Sequence, residues 1–523
     1  MKTGLRRAKL LVALGGLLAT FGPLSPALAS SAANYTAISG SGSTWSAVAL
    51  SQWAQNLHAN GISINYNPDG SAAGRSDYLS QQVNFAASDP PFRNGGDPFN
   101  VGGAEHPTVG YSYVPDTAGG TAFMYHLTVA GHLITNLRLS GDTIMKIFTG
   151  QITNWNDPAI TKDYGAQLPS IPIIPVIRSD GSGATFFFTR WIAHVFPAQW
   201  NAFCQKVSNG RVKPPCGQTE FYPQGWGASV PQNGSNNVAS YIAASYGQGA
   251  IGYDEYAYAL NSHFPVVKVL NPAGYYVLPS ASNVAVALTK AVINTNASSP
   301  DYLQQNLDSV YSFKDPRSYP LSSYSYLIVP RKGATIPTNF TPGAGRTLST
   351  YIDYFLCSGQ RYAAELGYSP LPLNLVVGGL AQASKIPGAI AAPSLASGCN
   401  NPTLQNGHLV LLQNAPYPTK CDKLGSPLNN CNPNAPAHRP SSSASASASA
   451  STSVGIGTGT GTGTGPAAAP SVSAGPVTGV VVNLASSDGS PAMLGGLTAA
   501  AILIAIAAPP AVYAMLRRRR APR

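Results

Sequence analysis

The sequence has 523 residues, of which 44% are hydrophobic and only 10% are charged, and its formal net charge is +11. Nine of the positive charges lie in the two terminal segments, and removing them leaves +2 for the rest of the chain. They are Lys2, Arg6, Arg7, Lys9, Arg517, Arg518, Arg519, Arg520 and Arg523. A nearly neutral central region argues against a broad nucleic-acid-binding surface, and the length suggests about three domains.

The first 29 residues have the features of a secretory signal peptide. Basic residues precede an apolar stretch from Leu10 to Leu18, and the small-residue pattern Ala27-Leu28-Ala29 predicts cleavage after Ala29. We therefore expect residues 1–29 to be removed and the rest of the chain to be exported.

The opposite end predicts a membrane anchor. Residues 493–516 are uncharged, mostly apolar and long enough to span a bilayer as a helix. The basic tip, residues 517–523, would remain cytoplasmic and leave the body of the protein at the cell surface. Residues 434–490, rich in Ser, Ala, Gly and Thr, predict a flexible tether before this span.

Six cysteines in an exported chain indicate disulfide bonds. Fifteen pairings are possible for six cysteines. We expect nearest neighbours to pair: Cys204 with Cys216, Cys357 with Cys399, and Cys421 with Cys431. Residues 401–433 would then form a disulfide-containing extension.

The exported part opens with a strand, a glycine-rich turn and a helix. Tyr35 to Ser39 alternates like a strand, Gly40 to Trp45 is rich in Gly and Ser, and apolar residues then recur at helical spacing up to Leu57. Because backbone N–H groups are unpaired at the start of a helix, this turn is a candidate anion site. A second strand from Ile62 to Tyr66 precedes a predicted turn from Asn67 to Gly74.

A third strand, from Val83 to Ser88, ends at Asp89, and the following Pro90 and Pro91 forbid its continuation. An acidic residue at a strand end in an α/β protein often faces the ligand cleft. The alternative is a solvated turn carboxylate or a helix cap.

The stretch from Arg178 to Ala184 is the second candidate anion site. An apolar run that ends at Ile177 precedes Arg178-Ser179-Asp180-Gly181-Ser182-Gly183, and an apolar helix is predicted from Thr185. Glycines allow close approach of the backbone, Ser182 adds a hydroxyl, and Arg178 supplies a planar fork of donors. The alternative is an ordinary helix cap in which Arg178 pairs only with Asp180.

Further elements follow from local patterns. We predict strands at 121–129, 249–253 and 324–329, a helix capped by Ser140, a long loop from Cys204 to Asn237, a short helical face at Val238 to Ile242, and a helix from Leu348 that ends at Gly367.

Six motifs in register carry a family resemblance. The sequence resembles the PstS-type phosphate-binding proteins of ABC uptake systems over roughly residues 36–375. The motifs are GSGSTW at 40–45, FAASD at 85–89, IFTGQITNW at 147–155, RSDGSG at 178–183, GAIGY at 249–253 and AAELGYSPLP at 363–372.

The resemblance implies an α/β periplasmic-binding-protein-like fold with two lobes around a cleft. Lobe one would comprise residues 33–120 and 262–400, and lobe two residues 121–261. The implied phosphate contacts are Thr44, Trp45 through its backbone, Ser71, Asp89, Arg178, Ser182, Gly183 and Ala184 through its backbone, with Asp180 orienting Arg178. The family usually has Thr or Ser at the position of Ala184, so one hydroxyl contact is lost.

The implied function is capture of inorganic phosphate by lobe closure and delivery to an ABC-type permease, by a monomer that is not an enzyme and needs no cofactor or metal. An alternative is a surface sensor or scavenger of another oxyanion or of a phosphorylated metabolite. An exported hydrolase is disfavoured because the chain has no Gly-x-Ser-x-Gly elbow. A structural cell-surface protein is favoured only by the tether.

Overall fold

The computed structural model describes residues 35–100 and 102–428. The predicted signal peptide, the tether, the membrane span and the basic tip lie outside these residues. None of the described helices is long and apolar enough to cross a membrane. The described residues belong to one compact unit.

An eight-stranded sheet organises the described part of the chain. Its strands in spatial order are Ile64–Asn67, Ile38–Gly42, Phe85–Ser88, Ser322–Pro330, Tyr111–Tyr125, Ala250–Glu255, Ile174–Arg178 and Val230–Gln232. Two-residue and three-residue strands form small additional sheets: Thr128–Val129 with His132–Leu133, Val292–Ile293 with Gln305–Asn306, Leu404–Gln405 with His408–Leu409, and Arg138–Leu139 with Lys268–Leu270 and Tyr276–Val277.

Helices flank the sheet. Their bounds are Ala47–His58, Ser71–Leu79, Gly141–Phe148, Pro158–Tyr164, Gly183–Val195, Pro197–Val207, Gly234–Ala243, Tyr256–Asn261, Ala281–Leu288, Asp308–Tyr311, Pro342–Leu356, Leu373–Ala383 and Leu411–Asn414, with short 3-10 helices at Ser358–Tyr362 and Lys420–Asp422. Side-chain caps explain several starts: the Ser140, Ser182 and Thr341 hydroxyls each accept a hydrogen bond from a backbone N–H in the first turn.

One long strand connects two halves of the sheet. Tyr111–Tyr125 pairs with Ser322–Pro330 up to Gly120 and with Ala250–Glu255 from Thr121 onward. This change of partner falls at the predicted lobe boundary between residues 120 and 121. Both halves contain parallel pairs, such as Ile38–Gly42 with Phe85–Ser88, so the observed architecture is the expected two-lobed α/β fold.

The segment after the predicted boundary at residue 262 pairs with residues that the prediction assigns to the second lobe. Strand Lys268–Leu270 pairs with Arg138–Leu139, which belongs to the second lobe. The Val267 N–H also donates to the carbonyl of Phe123. Strand Tyr276–Val277 pairs in turn with Lys268–Leu270, so the segment up to Val277 is joined by backbone hydrogen bonds to strands of the predicted second lobe. The local sequence pattern carried no information about these pairings.

Three local predictions need correction. The predicted turn at 67–74 ends early, because helix Ser71–Leu79 begins inside it. The predicted loop from Cys204 to Asn237 starts within helix Pro197–Val207 and contains edge strand Val230–Gln232. The predicted helix from Leu348 to Gly367 is a helix, Pro342–Leu356, followed by a separate 3-10 turn.

Two of the expected disulfide bonds are confirmed. Cys204 pairs with Cys216 and Cys357 with Cys399. Cys421 is also disulfide-bonded, and its predicted partner, Cys431, lies outside the described residues.

The extension that follows Cys399 packs on both lobes. The Asn401 side chain donates to the Leu371 carbonyl at 3.0 Å on the first lobe. On the second, Lys268 forms a 2.6 Å ion pair with Asp422, and Arg138 Nη2 donates to the Ser426 carbonyl at 2.6 Å. The described part of the extension is therefore integral to the folded body.

Candidate functional site

The turn after strand Ile38–Gly42 forms the first wall of the site. Gly42 has φ +129°, and a Cβ there would lie 2.0 Å from the Ala87 carbonyl oxygen, so the tight turn requires glycine. The turn places Ser43 against Asp89, and the Ser43 hydroxyl contacts both carboxylate oxygens at 3.0 and 2.8 Å. Asp89 directly follows the adjacent parallel strand, Phe85–Ser88.

Helix Ser71–Leu79 completes this wall. It begins at Ser71, and the Ser71 hydroxyl donates to Asp89 Oδ2 at 2.9 Å. Asp89 is only 1% exposed, and burial raises its pKa, while the bonded hydroxyls of Ser43 and Ser71 partly oppose that shift. A carboxyl with a raised pKa, held by two hydroxyls, is suited to sharing a proton with a ligand oxygen.

The second wall is the start of helix Gly183–Val195. Ser182 caps it by accepting a hydrogen bond from the Thr185 N–H. The N–H groups of Gly183 and Ala184 lie in the first turn, where the helix itself provides no acceptor. This arrangement gives an anion two backbone donors at the positive end of a helix dipole.

Arg178 ends the strand that leads into this helix, and it is 1% exposed. Its guanidinium contacts Asp180 at 2.8 and 2.5 Å and Asp254 at 3.4 Å. Burial disfavours the charge of Arg178, but Asp254 and Asp180 outweigh that effect and raise its pKa. Burial would raise the pKa of Asp180, but its bond to Arg178 holds that pKa below the usual range. Arg178 is therefore a permanent cation that is held by Asp180 and Asp254.

The two walls meet directly. Arg178 Nη2 donates to Thr44 Oγ1 at 3.2 Å, and Thr44 Oγ1 lies 3.0 Å from Ser235 Oγ. A Cβ on Gly183 would lie 1.7 Å from Asp89 Oδ2, so these two residues are in contact across the cleft. The described structure is thus a closed arrangement of the two lobes.

Seven of the eight predicted contact residues have the side chain or backbone N–H group that was expected to bind phosphate in one of these two walls. They are Thr44, Ser71, Asp89, Arg178, Ser182, Gly183 and Ala184. The eighth, Trp45, was predicted to act through its backbone. Its ring is 1% exposed and packs edge-on against Phe187 and Tyr368, and the Tyr368 hydroxyl donates to its carbonyl at 2.6 Å. The Trp45 side chain is therefore a core residue at the lobe junction.

Three polar residues at the site escaped the sequence reasoning: Ser43, Ser235 and Asp254. The Ser235 hydroxyl donates to Asp254 Oδ1 at 2.9 Å and accepts from Arg178 Nη1 at 3.1 Å. Ser235 and Asp254 each have a local sequence pattern of the kind that identified the other candidate site residues. Asn233-Gly234-Ser235 starts a helix with Gly and Ser, and Asp254 is an acidic residue close to the end of a strand.

Comparison with known proteins agrees with this architecture. Residues 27–358 match the family model of the PBP superfamily domain. The chain is 31% identical over 344 residues to the phosphate-binding protein PstS of Xylella fastidiosa (strain Temecula1), covering 65% of this chain and 82% of that protein. The chain belongs to the PstS family of the PBP superfamily. The family predicted from the six motifs is therefore confirmed.

Other members of the family are similar over comparable lengths. The PstS protein of Pasteurella multocida is 29% identical over 343 residues, covering 87% of its length. Among solved structures, a high affinity periplasmic phosphate-binding protein, PfluDING, bound with phosphate, is matched with a TM-score of 0.50 and 20% identity over 66% of this chain and 93% of that one. That likeness supports the two-lobed PBP fold of this member of the PstS family.

Proposed function

We propose that this protein captures inorganic phosphate between its two lobes and delivers it to an ABC-type phosphate permease. The observation that carries the proposal is the junction of Asp89 with the start of helix Gly183–Val195, beside the buried Arg178. Hydroxyls, backbone N–H groups and one arginine are the donors that a phosphate needs. PstS relatives named as phosphate-binding proteins support the same ligand.

In this proposal, each wall has a separate task. Arg178 and the first turn of helix Gly183–Val195 supply positive charge and donors from lobe two. Thr44 and Ser71 supply hydroxyls from lobe one, and the ligand replaces the contact between Arg178 and Thr44. Asp89 selects for phosphate, because phosphate near neutral pH keeps a proton that a carboxylate accepts, whereas sulfate has none.

The protein would work outside the membrane as a monomeric, non-catalytic binding protein. The predicted signal peptide and C-terminal span motivate export and anchoring, and both lie outside the described residues. Closure of two lobes on the anion is the proposed mechanism of capture, and reopening at the permease is the proposed mechanism of release.

Calorimetric titration of the protein with inorganic phosphate at neutral pH tests the proposal. We expect saturable heat and an increase in the unfolding temperature with phosphate. A parallel titration with sulfate is expected to give no comparable binding. Absence of both heat and thermal shift with phosphate would refute the function.

Two observations favour a second candidate, binding of a different oxyanion or of a phosphorylated metabolite. Ala184 provides no hydroxyl where the family usually has one. A cavity of about 790 Å³, lined by residues of both lobes, begins at Pro90 next to Asp89 and extends to Arg190. Competition of arsenate and organic phosphates against inorganic phosphate discriminates the candidates, since only an organic group would use that cavity.

A further inference from the structure

A buried guanidinium connects the two lobes beside the anion site. Arg75 has a fully buried side chain, and its Nη2 contacts both oxygens of Glu220 at 2.7 and 2.8 Å. Its Nε contacts Glu105 at 2.9 Å. Arg75 and Glu105 belong to the first lobe and Glu220 to the second. The same cation therefore binds one carboxylate of its own lobe and one across the cleft.

The cross-cleft pair is joined to both walls of the site. Arg75 lies one turn after Ser71 in the same helix, and its Nη1 donates to the hydroxyl of Ser88, next to Asp89, at 3.0 Å. On the other side, the Glu220 carbonyl accepts from the Ser182 N–H at 3.0 Å. Movement of this pair would therefore move the residues that face the anion.

A second contact holds the Glu220 loop against the first lobe. Asp97 accepts from the Thr219 hydroxyl at 2.6 Å and from the Glu220 N–H at 2.9 Å. Arg93 lies 3.5 Å from Glu220 and 3.5 Å from Glu105. The Glu220 side chain is thus surrounded by first-lobe groups, although its backbone belongs to the second lobe.

In the closed state both members of the pair are buried, and burial raises the pKa of Glu220 although Arg75 opposes that shift. Burial opposes the charge of Arg75, but Glu220 and Glu105 outweigh it and raise the pKa of Arg75. Removing one partner of such a pair leaves a buried charge uncompensated, whereas lobe opening would return both groups to water. A variant that lacks Glu220, the partner across the cleft, therefore gains more from opening than the wild-type protein does, whereas Glu105 stays beside Arg75 in both states.

We propose that the Arg75–Glu220 pair is an interlobe latch, which holds the lobes closed over the bound anion and slows its release. The proposal rests on the proposed function for the identity of the anion. Arg75 and Glu220 are positioning residues, because neither is among the groups proposed to face the anion, which include Ser71 and the start of helix Gly183–Val195. The sequence of the candidate anion site at 178–184 gives no indication of this latch.

The variants Glu220→Gln and Glu105→Gln test the latch as a matched pair. Each replaces one carboxylate on the same guanidinium, but only Glu220 crosses the cleft. Association and dissociation rates of inorganic phosphate are measured on the full chain by stopped-flow tryptophan fluorescence. We expect Glu220→Gln to raise the dissociation rate by about tenfold or more, with little change in association, and Glu105→Gln to leave dissociation near the wild-type rate.

Equal dissociation rates for the two variants, or a wild-type rate for Glu220→Gln, would overturn the latch. Thermal unfolding separates it from a merely structural role, because loss of either carboxylate lowers stability but only loss of Glu220 speeds release. Glu220→Asp keeps the charge with a shorter reach and replaces the Gln variant if that variant does not fold. We expect Glu220→Asp also to raise the dissociation rate, but by less than Glu220→Gln.

The latch remains testable if the wild-type protein does not bind phosphate, an outcome that refutes the proposed function alone. Distance distributions between labels at the exposed His58 and Lys206, one on each lobe, report opening without ligand. We expect a longer or broader distribution for Glu220→Gln than for Glu105→Gln. Identical distributions in this ligand-free experiment would overturn the latch.

Discussion

Gly183→Ala separates lobe closure from folding. A Cβ at residue 183 would lie 1.7 Å from Asp89 Oδ2 and 2.3 Å from Asp89 Cβ and Cγ. Gly183 lies on the second lobe and Asp89 on the first, so the clash is between lobes. The molecule can therefore relieve it by opening, and each lobe can keep its own core.

The size of the effect follows from these distances. Non-bonded heavy atoms prefer separations of about 3.5 Å, so the two walls would have to move apart by between about 1 and 2 Å. Overpacking of a tight contact typically costs about 1–3 kcal/mol. If that cost falls on the closed state, the ratio of closed to open protein falls by roughly 5-fold to 150-fold, and the affinity for phosphate falls by up to the same factor.

The assay is calorimetric titration with phosphate, together with thermal unfolding in the absence of ligand. Gly103→Ala is the matched control, because a Cβ there meets nothing within 4 Å. We expect the control to bind like the wild type and Gly183→Ala to bind more weakly with a similar unfolding temperature. Wild-type affinity in Gly183→Ala would refute the assignment of this contact to the closed, ligand-binding state.

Three further predictions concern single polar groups. Ser235→Ala removes the hydroxyl shared by Arg178 and Asp254 and should weaken phosphate binding by about tenfold in calorimetry, because the guanidinium loses a buried partner. Burial raises the pKa of Asp89, so its carboxyl gains a proton as pH falls and can then donate to sulfate. Sulfate should therefore compete better with phosphate at lower pH. Asp89→Asn, whose amide donates at every pH, should be inhibited by sulfate across the whole range. Burial raises the pKa of Asp353 to about 7, whereas the unfolded chain loses that proton near pH 4, so the group lowers the free energy of unfolding as pH rises between those values. In urea unfolding, Asp353→Asn should reduce this pH-dependent decrease in the free energy of unfolding by about 1–2 kcal/mol, after allowance for the partial exposure of the side chain. An unchanged pH dependence of the unfolding free energy in Asp353→Asn would contradict this.

Much of the candidate anion site could be predicted because each wall is local in sequence. The turn at 40–45 and the stretch at 178–184 each contain a strand end, glycines and a helix start, and such units position their own N–H groups whatever surrounds them. Asp89 was also accessible to this reasoning, since the prolines after it end the strand. Ser71 was identified as a candidate contact only through the family resemblance, because its local sequence predicts a turn.

Residues whose roles depend on distant partners could not be identified from the sequence. Ser235 reaches Arg178 across 57 positions, and Glu220 reaches Arg75 across 145. Neither has a local pattern that names its partner. The same reason explains why the pairing of strand Lys268–Leu270 with Arg138–Leu139 could not be predicted.

The sequence by itself determined the chemistry of each wall: glycine-rich helix starts, one arginine with its neighbouring Asp180, and an acid at a strand end. The expectation that nearest cysteines pair is confirmed for Cys204–Cys216 and Cys357–Cys399, although the sequence alone allowed other pairings. Only the tertiary structure decided which groups face one another across the cleft, such as Gly183 with Asp89 and Arg75 with Glu220. The physical reason is that backbone conformation follows from neighbouring residues, whereas contact between lobes follows from the packing of strands far apart in the chain.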